Sequence, residues 1–215
     1  MNIRFISFHN GNIPAKVLEA QKAVFNDFNY PLEQIFTKLQ HPYAIDNFLN
    51  NEAWDIAVIF DIDCIPLDGE YLWKEIGFVT RRRWLIGAAQ HASHIPNSID
   101  YMSPAFMILH RELWEQMGKP SFLPTERGDV GAEITYKALE HNLHYFMLPV
   151  EAVEVPMWEL ASGKKFGIGT NYGDVIYHAF ESRMNGDARS RFIQKCSQVI
   201  AQVPAPDPAQ FRAPQ

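Results

Sequence analysis

The run Trp54-Asp-Ile-Ala-Val-Ile-Phe-Asp-Ile-Asp-Cys-Ile-Pro66 constrains the fold more than any other segment. Its first half predicts a strand over 55–60 in which both alternating rows are apolar. Ile56, Val58 and Phe60 form one row, Ala57 and Ile59 the other. Side chains of an extended chain alternate between faces, so this strand belongs in the middle of a sheet covered on both sides. At its end stand Asp61 and Asp63, which the same alternation turns to one side. Two carboxylates at the carboxyl end of a buried strand are costly unless something cationic meets them. A divalent metal carrying the phosphates of a ligand would meet them. The bland alternative is a pair that only caps a following turn or helix. The apolar strand ahead of the pair and Pro66 behind it favour the ligand.

The rest of the chain supplies a setting for such a strand. Residues 3–8 alternate as a strand and stop at the turn cluster His9-Asn-Gly-Asn12. Pro14 opens a helix with Val17, Ala20, Val24 and Phe28 at helical spacing. A strand is predicted at 32–37, and a helix from Pro42 with Ile45, Phe48 and Leu49 on one face. Strand and helix alternate over short links, which predicts an α/β fold with a mostly parallel sheet covered by helices on both faces. Ligands of such sheets bind beyond the carboxyl ends of the strands. His9, Asn10, Asp61 and Asp63 all fall there.

Further along, a helix is expected at 69–79, strands at 84–90 and 101–110, and a helix at 111–117. Asp129 stands where a helix N-cap belongs, ahead of Val130, Ile134 and Ala138. A strand follows at 144–148. Residues 160–174, with Gly163, Gly167, Gly169 and Gly173, read as a glycine-bearing loop; Lys164 and Lys165 in it could close over a diphosphate as a mobile lid. A short strand at 175–180 precedes a last helix in which Phe192, Cys196, Val199 and Val203 share a face. One domain over 1–203 is expected, and the proline-rich residues 204–215 read as a disordered or loosely docked tail. His91 and His94, at the end of the 84–90 strand, read as ordinary strand-end residues.

Composition narrows the function. A net charge of −6 leaves no broad basic face for a nucleic-acid backbone, and Arg81-Arg82-Arg83 reads as a solvated turn. With 47% hydrophobic and 20% charged residues, the 215-residue chain has material for one large core. Cys64 and Cys196 form no spaced framework, so reduced thiols are the default. No stretch approaches the roughly 18 apolar residues of a membrane span. The opening residues read as a strand rather than a secretory signal, and a cytoplasmic protein is expected.

A D-x-D at the end of a central strand, in a chain that opens with a strand, resembles the GT-A glycosyltransferases, the nucleotide-diphospho-sugar transferase fold. The resemblance takes in Ser103-Pro-Ala-Phe106, similar to the strand behind the acceptor site. It also takes in Gly128-Asp-Val-Gly-Ala-Glu133, similar to the acidic segment opening the next helix. Tyr177-His-Ala-Phe180 is similar to the segment whose histidine completes the metal shell in several such enzymes. The resemblance implies that Asp63 coordinates Mn²⁺ or Mg²⁺, with His178 as a third protein ligand. Asp61 would contact ribose or donor sugar, or reach the metal through water. Phe8, His9 and Asn10 would lie against the base and ribose of a UDP- or GDP-linked sugar. A glycan or other hydroxyl acceptor would lose its proton to Asp129, with Glu133 next in line, if the transfer inverts. Asp129 and Glu133, four apart, would share a helical face. The chain is short for a complete member of that family, and no basic or aromatic acceptor surface can be identified in it.

Three rivals share the same residues. Ile59-Phe-Asp-Ile-Asp-Cys also resembles the first motif of haloacid-dehalogenase-type phosphatases, with Asp61 as nucleophile and Asp63 as general acid. That motif normally lies on a first strand, whereas two strands precede it here. A nucleotidyltransferase would want a glycine-rich basic loop after the first strand, and His9-Asn-Gly-Asn12 is a poor version of one. A catalytically silent nucleotide-sugar or carbohydrate-binding module is the third.

Overall fold

The computed structural model describes residues 1–202. The tail expected at 204–215 and Val203 of the expected last helix lie outside the described residues. The chain opens with β1 (Ile3–His9), α1 (Ala15–Asp27), β2 (Leu32–Phe36), α2 (His41–Asn51) and β3 (Ile56–Phe60). The strand–helix alternation predicted for this half is present. After β4 (Cys64–Pro66) come α3 (Gly69–Arg82), β5 (Leu85–His91), β6 (Asp100–His110), α4 (Arg111–Gln116), α5 (Ala132–Glu140) and β7 (Tyr145–Leu148). The chain then runs through β8 (Val150–Glu159), β9 (Lys165–Tyr172), β10 (Ile176–His178) and α6 (Gly186–Gln202). Local chemistry sets the boundaries. Pro14 precedes α1, Pro42 sits in the first turn of α2, and the Asp68 carboxylate caps α3 by accepting from Glu70 N and Tyr71 N.

Six strands form the central sheet in the order β2-β1-β3-β6-β5-β7, with only β6 antiparallel to its neighbours. Every residue of β3 is buried, as its two apolar rows require. Ile56, Val58 and Phe60 join one core with α1, α3 and α6; Ala57 and Ile59 join the other with α2, α4 and α5. β6 divides the same way, Phe106 and Ile108 against Met107 and Leu109. The two cores fix which face each helix covers. Among the described residues, no helix is long and apolar enough to cross a membrane.

A second, four-stranded antiparallel sheet, β4-β10-β9-β8, corrects the sequence reading of residues 160–174. The expected glycine loop at 160–174 is mostly strand: β9 pairs with β8, and the chain turns between them over residues 160–164. Glycine in this strand marks a close backbone approach rather than a loop. A Cβ at Gly167 would lie 2.4 Å from the Val155 carbonyl oxygen. The partner strand β8 hid behind Pro156 and its glutamates, features tolerated at a sheet edge, which is where β8 lies. The expected lid is thus a paired hairpin.

Candidate functional site

β3 ends at Phe60, and the chain turns sharply behind it. Asp61 N donates to Ala105 O at 2.9 Å, and Cys64 N donates to Asp61 O at 3.0 Å, closing the turn 61–64. The second sheet then brings a distant segment to this turn. β10 runs antiparallel to β4 with His178 opposite Cys64, and Ala179 N donates to Asp63 O at 2.9 Å. His178 Nε2 consequently stands 3.2 Å from Asp63 Oδ1 and 3.5 Å from Asp61 Oδ2. Ser182 N donates to Asp63 Oδ2 at 3.2 Å, and the Phe180 ring packs against the imidazole with centroids 3.7 Å apart. Phe180 and Glu181 both hold left-handed backbone, with φ of 52° and 54°. Two such residues in succession without glycine are strained, and strain of this kind gathers at functional sites.

The composition and spacing of this cluster fit a divalent cation. Side-chain exposure is 3% for His178, 9% for Asp63 and 29% for Asp61, so the group is sheltered yet open on one side. One ligand atom from each lies within 4.8 Å of the others. Metal–ligand bonds of roughly 2.1 Å in octahedral geometry put neighbouring ligand atoms about 3 Å apart. The two distances from His178 Nε2 are close to that. Two carboxylates with one imidazole suit Mg²⁺ or Mn²⁺, the nitrogen favouring Mn²⁺. Burial pushes the Asp61 carboxyl above its usual range, only partly offset by His41 and His178. Burial also pushes Asp63 up, but the hydrogen bond and charge of His178 and the Ser182 contacts outweigh it, and the net direction is down.

Two cavities meet at the carboxylates. The first, about 350 Å³, is lined by Phe8, His9 and Asn10 from the end of β1, with Thr37, His41 and Arg183. Burial lowers the basicity of His9, which favours a neutral ring, and that ring meets Phe36 edge-on at 5.7 Å. The second cavity, about 250 Å³, is lined by Gln90, Tyr101, Ser103 and Asp129. His41, Asp61, Asp63 and Glu181 line both. The antiparallel course of β6 explains the second cavity: its amino end, with Tyr101 and Ser103, lies among the carboxyl ends of the other strands.

Other predicted residues fall differently. Asp129 lines the second cavity but is not the helix cap the sequence suggests. α5 starts at Ala132 behind Gly131, whose left-handed φ of 79° serves as the cap position. A side chain there would also crowd Pro104 Cδ at 2.8 Å. The Asp129 carboxylate accepts from its neighbour Val130 N at 2.7 Å, so Asp129 and Glu133 do not share a helical face. Glu133 forms a two-pronged pair with Arg127 at 3.0 and 2.6 Å and lines neither cavity. Lys164 and Lys165 sit at the β8–β9 turn, Lys165 paired with Glu159, and neither lines a cavity. His91 lies 3.1 Å from Asp100, its partner across the β5–β6 pairing.

The sequence reading passed over His41 and Arg183. His41 Nε2 lies 3.3 Å from Asp61 Oδ1, so the Asp61 carboxylate is flanked by two imidazoles. Pro42 marked a helix start, but only the sheet order brings His41, just ahead of it, beside the end of β3. Arg183 follows His178 closely in sequence, and no local pattern sets it apart.

No protein-family model matches the chain, and no curated protein matches it. Solved structures resemble it at low identity. A197 from STIV is 15% identical with a TM-score of 0.44, over 77% of this chain and 93% of A197. The mannosyltransferase PcManGT from Pyrobaculum calidifontis, solved in complex with GDP-Man and Mn²⁺, is 14% identical with a TM-score of 0.49. That match covers 68% of this chain and 54% of the mannosyltransferase. The bifunctional IspDF from Campylobacter jejuni is 9% identical with a TM-score of 0.43, over 68% of this chain and 50% of IspDF. The chain spans about half the length of the latter two. Likeness at this level carries no argument about chemistry, which is read from the chain's own residues.

Proposed function

We propose that this chain is a metal-dependent glycosyltransferase of the GT-A kind, moving a sugar from a UDP- or GDP-linked donor to a glycan or other hydroxyl acceptor. One observation above all supports the reading: Asp61 and Asp63, with His178 against them, line two cavities at once. A cation site on a wall shared by two cavities suits a transfer between two substrates. Asp61, Asp63 and His178 would hold Mn²⁺ or Mg²⁺, which would supply positive charge against a nucleotide diphosphate. The first cavity takes the nucleotide. Phe8 and His9 offer ring surface to the base, Asn10 and Thr37 offer polar groups to the ribose, and the Arg183 guanidinium meets phosphate. The second cavity takes the sugar and the acceptor hydroxyl, with Gln90, Tyr101 and Ser103 as hydrogen-bonding partners. Asp129 holds the acceptor proton as general base, which implies inversion at the transferred carbon.

The phosphatase reading is less well supported. Among the described residues, Asp61, Asp63 and His178 are the one group gathered tightly enough for a metal, and no third carboxylate joins them. The test is a thermal-shift screen of UDP, GDP, dTDP and their sugar conjugates with and without Mn²⁺, followed by turnover assays. Saturation near 100 times Kd stabilises by about 2.7 kcal/mol, a readable shift. No metal-dependent shift with any nucleotide would reject the proposal. Binding without donor turnover, with acceptors supplied, would leave a catalytically silent binding module.

A further inference from the structure

Gln21 lies in the middle of α1, is fully buried, and lines neither cavity. A buried primary amide must find partners for its polar atoms, and the partners here are unusually placed. Its Nε2 donates to Asp61 O at 2.7 Å and to Cys64 O at 2.9 Å, the carbonyls at the two ends of the turn that carries Asp63. Its Oε1 accepts from Gln34 Nε2 at 3.0 Å, and Gln34 Nε2 also donates to Leu18 O at 2.9 Å. Two amides thus form a hydrogen-bonded chain from β2 through α1 to the turn 61–64. The only backbone bond closing that turn, Cys64 N to Asp61 O, uses the same Asp61 carbonyl.

We infer that Gln21 is the positioning residue of the carboxylate pair, with Gln34 fixing the Gln21 amide in turn. This rests on the metal reading above and deepens it: the affinity of the site for its cation depends on an amide that touches neither cation nor substrate. By spanning the turn, Gln21 fixes the separation of the Asp61 and Cys64 carbonyls, and with it the direction of the carboxylates between them. Outer partners that orient metal ligands commonly matter about 10–100-fold in affinity. An apolar residue of similar length fills the space but holds neither carbonyl.

The test compares Gln21→Met with Val17→Ala, one turn earlier on α1 and fully buried in the same core. Both remove core stabilisation, but only the first releases the turn. Mn²⁺ alone is titrated into the full chain by electron paramagnetic resonance, well below the lowest Tm. The expected result is roughly 10–100-fold weaker Mn²⁺ binding in Gln21→Met, with Val17→Ala unchanged. Wild-type affinity in Gln21→Met, or an equal loss in both variants, would overturn the inference. Failure of the wild type to bind Mn²⁺ would count against the metal reading instead. The positioning role is then read from amide exchange at residues 61–64, expected faster in Gln21→Met than in Val17→Ala; equal rates overturn it. Should Gln21→Met not fold, Gln34→Met at its half-buried position removes the outer amide, and it is expected to show the same two effects in weaker form. Unchanged Mn²⁺ binding and exchange in that variant would equally overturn the inference.

Discussion

His178 and Asp63 are 115 residues apart in sequence, yet Nε2 of the first stands 3.2 Å from Oδ1 of the second. The contact follows from a three-residue pairing, β10 against β4, that continues the main chain of one residue's strand into the turn bearing the other. The metal predictions for Asp63 and His178 depend on that join.

Asp63→Ala should abolish Mn²⁺-dependent binding of UDP and GDP. It should also destabilise the fold, because His178 Nε2 and Ser182 N lose a buried acceptor. Each buried group left unsatisfied costs about 1–3 kcal/mol. Calorimetric titration with and without Mn²⁺, paired with urea denaturation, reads both effects. Nucleotide affinity equal to wild type would remove Asp63 from the metal site.

His178→Ala should change metal preference as well as affinity. The imidazole is the one nitrogen donor of the cluster, and nitrogen favours Mn²⁺ over Mg²⁺. Mn²⁺ affinity is expected to fall by at least the roughly 10–100-fold that losing an outer partner costs, and Mg²⁺ affinity by less. Competition titrations of the two ions settle it, and an unchanged ratio would speak against ligation.

Asp129→Asn should retain Mn²⁺ and donor binding while transfer to a true acceptor falls by roughly 10²–10⁴-fold, the usual range for a lost general base. The change is nearly isosteric and keeps an oxygen to accept from Val130 N. Glu133→Gln is the comparison: it weakens the pair with Arg127 and lowers Tm slightly while leaving transfer close to wild type. Full activity in Asp129→Asn would point to another base or to a retaining transfer.

Arg183→Ala should weaken nucleoside diphosphates while barely affecting the parent nucleosides. A hydrogen bond to a charged group is worth about 1.5–3 kcal/mol, which is roughly ten- to hundredfold in Kd. Arg183 is exposed, so Tm should stay near wild type. Lys165→Ala, at the hairpin turn, should leave diphosphate affinity alone. A larger effect for Lys165 than for Arg183 would reverse the placement of the phosphates.

What could be read from the sequence follows from how local each cause is. β3 was legible because its two apolar rows record two covered faces in five residues. Asp61 and Asp63 stood out because charge at the end of such a strand is abrupt. The second sheet was not: Pro156 and the glycines of β9 carry the same letters as a loop, and only the close approach at Gly167 shows why they are there. Asp129 was picked out by its resemblance to a helix cap, and it lies two residues ahead of the real cap at Gly131. His41, Arg183 and Gln21 left no pattern to find, because their neighbours are set by strand order and crossover rather than by spacing.

The reversal of β6 has a consequence for how the two cavities can change. The first is bordered by segments that follow strands, around Asn10, Thr37 and Arg183, where an insertion disturbs no ladder. The second takes Tyr101 and Ser103 from within a strand, held in register against Gln90 and Ala88. Adding one residue there would swap inward and outward side chains along the strand end. One compartment is therefore open to drift in length and shape, while the β6 wall of the other is retuned by exchanging one side chain for another.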